Sequence, residues 1–221
     1  MPDVDYRLNA IVDAGSLPGA DLAALARAAA RGGATLIQYR DKEGSTRAMV
    51  ETARSIRVAL AGTGVPFVVN DRVDVALAAG ADGVHLGRDD MEAASARSLL
   101  GRGGIIGATV KNEEEARVAC GAPIDYACIG GVFQTLSKDN PDPPVGLDGL
   151  RALRRLIRAT RPMLPVGAIA GVDLSRIRPV IEAGADGVAA ISAIFRSGNP
   201  EAAAAAFRDA VDGALKSRSN T

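Results

Sequence analysis

Short apolar runs recur along the chain, and stretches with the spacing of amphipathic helices separate them. The predicted strands are Leu8–Asp13, Thr35–Arg40, Phe67–Asn70, Gly83–Leu86, Ile105–Thr109, Tyr126–Phe133, Pro165–Ile169 and Gly187–Ile191. Helical spacing is clear in Asp21–Arg31, Thr46–Ala61, Asn112–Cys120, Leu147–Thr160 and Pro200–Leu215. Strict alternation of strand and helix predicts a parallel sheet.

A repeated hexapeptide marks the junctions between these elements. Ala79–Val84 and Ala183–Val188 are identical, and Arg31–Leu36 and Cys120–Tyr126 are weaker echoes. Each copy follows a helical stretch and precedes an apolar run, so its glycine is predicted to end the helix in the left-handed conformation. The repeat therefore predicts a helix–loop–strand unit. Its aspartates lie at strand starts, where we expect a structural role.

Eight such units in 221 residues are about 28 residues each, near the small end for a (β/α)8 barrel. We therefore predict one barrel domain over residues 1–221, with a frayed tail at 216–221. A doubly wound open sheet is the alternative fold. It requires a glycine-rich phosphate loop after the first strand, and Ala14–Gly19 lacks that spacing.

Composition limits the classes of binding partner and the cellular compartment that we expect for this protein. Lys and Arg balance Asp and Glu at 26 each, so no basic surface predicts binding to nucleic acid or to an acidic membrane. Cys120 and Cys128 are too few for a secreted disulfide framework. The segment Met1–Asp5 shows no signal peptide, and no apolar run approaches the roughly 20 residues that span a bilayer. We expect a cytoplasmic protein with small-molecule partners.

Polar residues follow the second predicted strand, at Gln38–Lys42. Side chains two residues apart share a face, so Gln38, Arg40 and Lys42 point toward the barrel mouth if Leu36 does. Two cations and an amide facing one pocket indicate an anionic ligand, since arginine offers a planar fork and lysine a point charge. A solvated strand end would give the same pattern.

Carboxylates follow the third and fourth predicted strands. Asn70 and Asp71 end one strand, and Asp89 and Asp90 come after the next. Neighbouring strands lie about 4.8 Å apart, so these carboxylates can share one cation, and Mg²⁺ takes one or two carboxylates with water and phosphate oxygens. Either Asp89 or Asp90 could instead cap a helix beginning near Met91, and the sequence barely separates the two. We take Asp89 as the cap, which leaves Asp90 as the candidate ligand.

The longest irregular segment, Gln134–Gly146, follows the sixth strand. A loop of this length in a small barrel is usually functional. The hydroxyls of Thr135 and Ser137 and the ammonium of Lys138 suit a small anion. Nothing in this polar loop desolvates Lys138 enough for Schiff-base chemistry, so we expect a charge contact.

Small residues end the last two strands, at Gly167–Gly171 and Ile191–Ile194. Loops at these positions commonly form the phosphate site of a barrel, although tight packing alone would also explain them. His85 is the single histidine. It could be catalytic, but a lone histidine inside a strand is more often structural. Neither a nucleophile–histidine arrangement nor a zinc spacing is present. Cations, hydroxyls and a metal position without an acid–base pair suit departure of a diphosphate.

These motifs, in this order, resemble the thiamine-phosphate synthase family from about Arg7 to Phe195. The most specific pieces are Gln38-x-Arg40-x-Lys42, Asn70-Asp71, Asp82–Gly87 with Asp90, and Thr135-x-Ser137-Lys138. The resemblance implies a (β/α)8 barrel and a Mg²⁺-dependent transferase. The implied reaction joins a hydroxymethylpyrimidine diphosphate to a thiazole phosphate with loss of diphosphate, by a dissociative substitution that needs no base.

The resemblance also implies a division of the site. Residues for the pyrimidine diphosphate would be Gln38, Arg40, Lys42, Asn70, Thr109 and Lys138, with Arg40, Lys42 and Lys138 catalytic. Residues for the thiazole phosphate would be Thr135, Ser137, Ala170, Ile191 and Ser192. Asp71 and Asp90 would bind Mg²⁺.

Four positions depart from the family pattern. Thr109 and Ser137 exchange one hydroxyl residue for another, and Gly131 replaces a usual proline. Ala170 stands where the family usually has glycine, and its methyl group would crowd the phosphate if the backbone there needs a positive φ.

Three alternative functions are less well supported. A thiazole tautomerase on this fold relies on a histidine after the fifth strand, where this chain has Gly107–Val110. A non-catalytic phosphate-binding barrel would not need a complete site for a leaving diphosphate. A sugar-phosphate epimerase or aldolase would need an evident base or a buried lysine.

Overall fold

The computed structural model describes residues 3–134 and 143–219. In this part of the chain, parallel strands close into a barrel in sequence order, and β8 pairs with β1. The strands are β1 (Leu8–Asp13), β2 (Leu36–Arg40), β3 (Phe67–Asn70), β4 (Gly83–Leu86), β5 (Ile105–Val110), β6 (Tyr126–Ile129), β7 (Val166–Ala168) and β8 (Gly187–Ala190). The closed barrel confirms the predicted fold and excludes the open sheet.

Helices alternate with the strands and form the outer layer. They are α1 (Leu22–Arg31), α2 (Thr46–Ala59), α3 (Val73–Ala79), α4 (Ala93–Leu100), α5 (Glu113–Gly121), α6 (Gly146–Thr160), α7 (Leu174–Glu182), α8 (Ser192–Phe195) and α9 (Pro200–Ser219). Side-chain caps begin α1, α2, α5 and α7, where Asp21, Ser45, Asn112 and Asp173 accept a hydrogen bond from a backbone N–H of the first turn. None of the helices within the described ranges combines the length and the apolar character needed to cross a bilayer.

Alternate residues of each strand face two different cores. Outward-facing residues such as Ala10, Ile37 and Val69 pack with the apolar faces of the helices. Inward-facing residues such as Ile11 and Leu36 form a second cluster inside the barrel. This period of two places polar inward-facing residues in the barrel interior, above the apolar cluster.

Two tyrosines fill the lower part of the barrel. The rings of Tyr6 and Tyr126 lie with their centroids 4.8 Å apart, and both residues are almost fully buried. Each ring occupies space that a glycine leaves open. A β-carbon at Gly167 would lie 1.7 Å from Tyr6 Cε1, and one at Gly107 would lie 2.0 Å from Tyr126 Cζ. These rings set the floor of the cavity above them.

The hexapeptide repeat forms a backbone clamp at four places in the barrel. The residue just before each even-numbered strand is Thr35, Asp82, Asp125 or Asp186. Its N–H donates to the carbonyl of a residue on the preceding strand, and its side-chain oxygen accepts the N–H of that same residue. The paired residues are Leu8, Phe67, Ile106 and Val166, at 2.7–2.9 Å. The structural role predicted for Asp82 and Asp186 is therefore confirmed.

The glycines of the two identical copies adopt the predicted conformation, whereas Gly121 of a weaker copy is the last residue of α5 and has no positive φ. Gly80 ends α3 with φ 67°, and Gly184 follows α7 with φ 110°. Both angles lie in the region that glycine enters without steric cost.

Three sequence predictions are wrong in detail. Residues Lys216–Ser219 continue α9, where Arg218 Nη1 donates to the carbonyls of Ile181 and Ala185, and the rest of the predicted tail, residues 220–221, lies outside the described residues. The sixth strand ends at Ile129, before two glycines redirect the chain.

Asp89 is the third correction, because it does not cap a helix. The helix α4 begins at Ala93, and Glu92 at its N-cap makes no side-chain capping bond. The Asp89 carboxylate is exposed and contacts Arg88 at 3.5 Å.

Candidate active site

A cavity of about 80 Å³ opens at the C-terminal ends of the strands. Its polar lining includes Asn9, Gln38, Arg40, Asn70, His85, Thr109 and Lys111, and its other side includes Ile169, Ala170 and Ile191. The structure thus brings predicted residues from β2, β3 and β5 together with predicted residues that follow β7 and β8. Thr135, Ser137 and Lys138 lie outside the described residues.

Arg40 is held at the mouth by a buried carboxylate that the sequence analysis missed. Arg40 Nη1 donates to Asp13 Oδ2, and Asp13 is 1% exposed. Asp13 Oδ1 also accepts the Ser16 N–H at 2.9 Å. The two residues are register partners on β1 and β2. An acidic residue that ends the strand beside Arg40 was the available signal.

Lys42 and Asp71 form the next pair along the rim. Lys42 Nζ donates to Asp71 Oδ2, and the lysine side chain is half exposed. The Asp71 backbone has φ 64°, an unusual value for a residue with a β-carbon. Its N–H donates to the His85 carbonyl at 2.7 Å, which fixes the turn after β3 against β4.

Asp90 completes a carboxylate pair with Asp71. Asp90 Oδ2 accepts the Gly87 N–H at 2.6 Å, and its carboxyl group neighbours that of Asp71. Burial and the neighbouring Asp71 carboxyl raise the pKa of Asp90. Burial opposes ionisation of Asp71 as well, but the hydrogen bonds from Asp90 and Lys42 hold the pKa of Asp71 below its usual value.

The oxygen atoms of this pair fit a hard divalent cation. Two neighbouring carboxyl groups gain from a cation placed between them, and Mg²⁺ prefers oxygen ligands. No cluster of three or more His, Cys, Asp or Glu side chains suited to a metal is found in residues 3–134 and 143–219. A Mg²⁺ ion here would therefore need water or phosphate oxygens for its remaining positions.

His85 is committed to structural contacts on both sides of its ring. Nδ1 lies 3.0 Å from the Tyr126 hydroxyl, and Nε2 lies 2.9 Å from Thr109 Oγ1. The histidine is 6% exposed. These contacts orient Thr109 toward the cavity and favour a positioning role for His85 over a role as a general base.

The opposite side of the mouth carries a strained residue. Ala170 has φ 83°, so a residue with a β-carbon adopts a left-handed backbone conformation here. The Ala170 carbonyl accepts the Phe133 N–H at 3.1 Å, which ties the turn after β6 to the turn after β7. Gly131 in the same turn has φ 70°, a value that proline cannot adopt. The departures at these two positions thus lie in one hydrogen-bonded unit.

Ile191 and Ser192 lie where β8 leads into the short helix α8. Ile191 lines the cavity, and Ser192 is the first residue of the helix. The Ile191 carbonyl accepts the Phe195 N–H at 3.0 Å. Ser192 is therefore next to the cavity wall, on the same side as Ala170.

Cations, carboxylates and amides at the C-terminal rim of a closed barrel define a (β/α)8-barrel enzyme for small anionic molecules. Comparison with known proteins gives the family. The thiamine monophosphate synthase family model matches residues 8–194. A thiamine-phosphate synthase of Agrobacterium fabrum is 62% identical over 99% of both chains, and one of Chloroflexus aurantiacus is 44% identical over 93% of this chain and 92% of that protein.

A solved structure agrees with these relatives. Thiamine phosphate pyrophosphorylase from Pyrococcus furiosus superposes with a TM-score of 0.82 at 36% identity, covering 96% of this chain and 98% of that one. The chain belongs to the thiamine monophosphate synthase family. Its activity is that of a transferase in thiamine biosynthesis, which confirms the thiamine-phosphate synthase function that the family resemblance implied.

Proposed function

We propose that this barrel joins a hydroxymethylpyrimidine diphosphate to a thiazole phosphate in a Mg²⁺-dependent reaction that releases diphosphate. The observation that carries the proposal is the ion pair of Lys42 with Asp71, whose carboxyl group neighbours that of Asp90, with Arg40 on the adjoining strand end. Negative and positive groups in one place suit a metal-bound diphosphate, whose charge both kinds of group then balance.

The pyrimidine end would lie against Gln38, Asn70 and Thr109. No hydrogen bond within the described part of the chain engages the side-chain amide of Gln38 or of Asn70. Both residues are at least 90% buried and line the cavity. Side-chain amides that line a cavity offer both donors and acceptors, so they favour a ligand that carries both, such as an aminopyrimidine.

The diphosphate would lie at the rim, against Arg40, Lys42 and Lys138. Asp71 and Asp90 would hold Mg²⁺, which when bound supplies charge neutralisation for the departing diphosphate. Arg40 is already oriented by Asp13, so little reordering is needed for it to meet phosphate oxygens. Lys42 would exchange its contact with Asp71 for one with the diphosphate.

The thiazole phosphate would occupy the other half of the mouth. We assign it to Thr135, Ser137, the backbone at Ala170, and Ile191 with Ser192. Ala170 and Ile191 line the same cavity as Gln38 and Arg40. This arrangement supports direct transfer, because the two substrates would meet inside one cavity.

The proposed substitution is dissociative. The methylene carbon–oxygen bond breaks first, and its electron pair leaves with the diphosphate. The electron-rich aminopyrimidine stabilises the methylene cation, and the thiazole nitrogen then donates its lone pair to form the carbon–nitrogen bond. This nucleophile carries no proton to remove, which agrees with the engagement of both nitrogens of His85.

Two of the alternatives find no support in this geometry. No histidine lies at the end of β5, where Thr109 faces the cavity, because the single histidine of the sequence is His85 on β4. A purely binding barrel gives no reason for two neighbouring carboxyl groups beside Lys42. The cytoplasmic location, and the expectation of no nucleic-acid or membrane partner, stay predictions.

The test is a product assay with a matched pair of variants. The purified protein is incubated with both phosphorylated substrates at several Mg²⁺ concentrations, and thiamine phosphate and diphosphate are quantified. We expect product only with Mg²⁺. Asp90→Asn should raise the Mg²⁺ concentration for half-maximal rate at least about tenfold and leave the KM for the thiazole phosphate unchanged.

Asp89→Asn is the control, because Asp89 is adjacent in sequence but exposed and paired only with Arg88 among the described residues. It should behave like the unmodified protein. Absence of product from a folded protein would refute the reaction, and full activity in the presence of a chelator would refute the metal requirement.

A further inference from the structure

Asn9 is a buried amide on the cavity floor whose oxygen has no partner. It is 0% exposed and points inward from β1. Its Nδ2 donates to the Tyr6 hydroxyl at 3.3 Å. Among the described residues, no group donates to its Oδ1. Leaving a buried acceptor unsatisfied costs about 1–3 kcal/mol, so this oxygen favours a donor that enters the cavity.

The Asn9 side chain is held in one orientation by its neighbours. The Tyr6 hydroxyl, which accepts from Asn9, also hydrogen-bonds the sulfur of Cys128 on β6. Tyr6 itself fits only because Gly167 has no side chain. With Nδ2 directed to Tyr6, the amide presents Oδ1 on its other side.

The position of Asn9 relative to Gln38 suggests what that donor is. Register pairs Ile11 with Gln38, so Asn9 lies two residues deeper on the neighbouring strand. Two residues along a strand span about 6.6 Å, which is the scale of a substituted six-membered ring. Gln38 and Asn9 line one cavity. A heterocycle that contacts the Gln38 amide therefore extends toward Asn9.

We propose that Asn9 is a specificity-determining residue whose Oδ1 accepts a hydrogen bond from the exocyclic amine of the pyrimidine substrate. The inference rests on the proposed function, which supplies the aminopyrimidine. Ile11 and Ala189, which line the same cavity, are apolar and offer this amine no acceptor. A substrate with hydrogen in place of the amine would leave Oδ1 unsatisfied and bind more weakly.

Equilibrium binding tests this without requiring turnover. Calorimetry with Mg²⁺ and no thiazole phosphate compares the pyrimidine diphosphate with its analogue that lacks the amine. The unmodified protein should prefer the amine-bearing ligand by about tenfold. Asn9→Leu should abolish that preference, and Asn9→Ala should do the same if leucine does not fit. Asn9→Asp, which keeps an acceptor oxygen, should retain it.

Ile11→Leu is the matched control, because Ile11 faces the same cavity from the same strand. It should leave the preference for the amine unchanged. If both Asn9→Leu and Asn9→Ala keep the preference, Oδ1 meets only water and the inference is wrong. The proposed reaction and the proposed role of Asn9 can fail separately. The product assay tests the reaction, whereas binding selectivity is measured without any reaction.

Discussion

Ala170 combines a β-carbon with a backbone conformation that normally selects glycine. Its φ of 83° costs roughly 1–2 kcal/mol for an L-residue. The bond from the Phe133 N–H to its carbonyl helps to hold the turn in place. The strain therefore lies where the proposed thiazole phosphate would contact the backbone.

Ala170→Gly should raise the free energy of unfolding by up to about 1 kcal/mol, because relief of the strain exceeds the added freedom of the unfolded chain. The KM for the thiazole phosphate should fall or stay unchanged. Urea unfolding and steady-state kinetics check both. Ala168→Gly is the control, since Ala168 is buried in β7 without a positive φ, and it should lose about 1 kcal/mol. A clear rise in KM for Ala170→Gly would show that the phosphate site is misplaced.

Asp13 acts on the site through Arg40. Asp13→Asn should lower kcat/KM for the pyrimidine diphosphate about 10- to 100-fold, because Arg40 loses a charge-assisted hydrogen bond and faces an amide donor instead. The KM for the thiazole phosphate should hardly change. Asp5→Asn, which removes an exposed partner of Arg7, is the control for loss of an aspartate. Equal effects on both substrates would contradict the assignment of Arg40 to the diphosphate half.

At the scale of elements, sequence patterns predicted a strand or a helix end correctly wherever one local rule decided the structure. The period of two in β1 and β2 located the strands, and the glycine of the repeat located the ends of helices. The cap prediction at Asp89 failed because α4 begins later and without a capping side chain. The tail prediction failed because tertiary hydrogen bonds of Arg218 extend α9.

The site was predictable where side chains carry charge at strand ends, as at Arg40 and Asp71. Asp13 and Asn9 escaped notice for a physical reason. Their roles depend on which residue lies opposite on the neighbouring strand, and sequence alone does not provide register between strands. The cavity floor is likewise set by a distant pair, Tyr6 over Gly167.

The four clamps should differ in strength according to their chemistry. Thr35→Ala should lower the free energy of unfolding by about 1 kcal/mol, since it loses hydrogen bonds of a hydroxyl group, and Asp82→Ala by about 1–3 kcal/mol, since it leaves the Phe67 N–H without its carboxyl acceptor. Asp125→Ala should cost about 3–5 kcal/mol, because it also leaves Arg97 without its carboxylate partner in a mostly buried position. Urea unfolding of the three variants ranks their losses in free energy of unfolding. Equal losses would refute this account of the repeat.

At the scale of the whole molecule, the mouth residues belong to strand ends that are far apart in sequence but adjacent in the barrel. The proposed diphosphate and Mg²⁺ half would draw on the ends of β2, β3 and β4, and the proposed phosphate half on the turns after β6, β7 and β8. A ligand bound to one half contacts several strand ends at once. Because strand pairing closes the barrel, such binding should stabilise the whole chain.

Thermal unfolding with inorganic diphosphate and Mg²⁺ tests that coupling. At a ligand concentration roughly 100 times the dissociation constant, diphosphate with Mg²⁺ should add about 2.7 kcal/mol to the free energy of unfolding. This raises Tm by about 5–10 °C for a chain of this size. Mg²⁺ alone should have little effect, because two carboxylates leave most of its coordination to water. Asp90→Asn should remove the part of the shift that depends on Mg²⁺, and Asp89→Asn should preserve it. A full shift with diphosphate in the presence of a chelator would mean that Arg40 and Lys42 suffice, and that the carboxyl pair at Asp71 and Asp90 has another role.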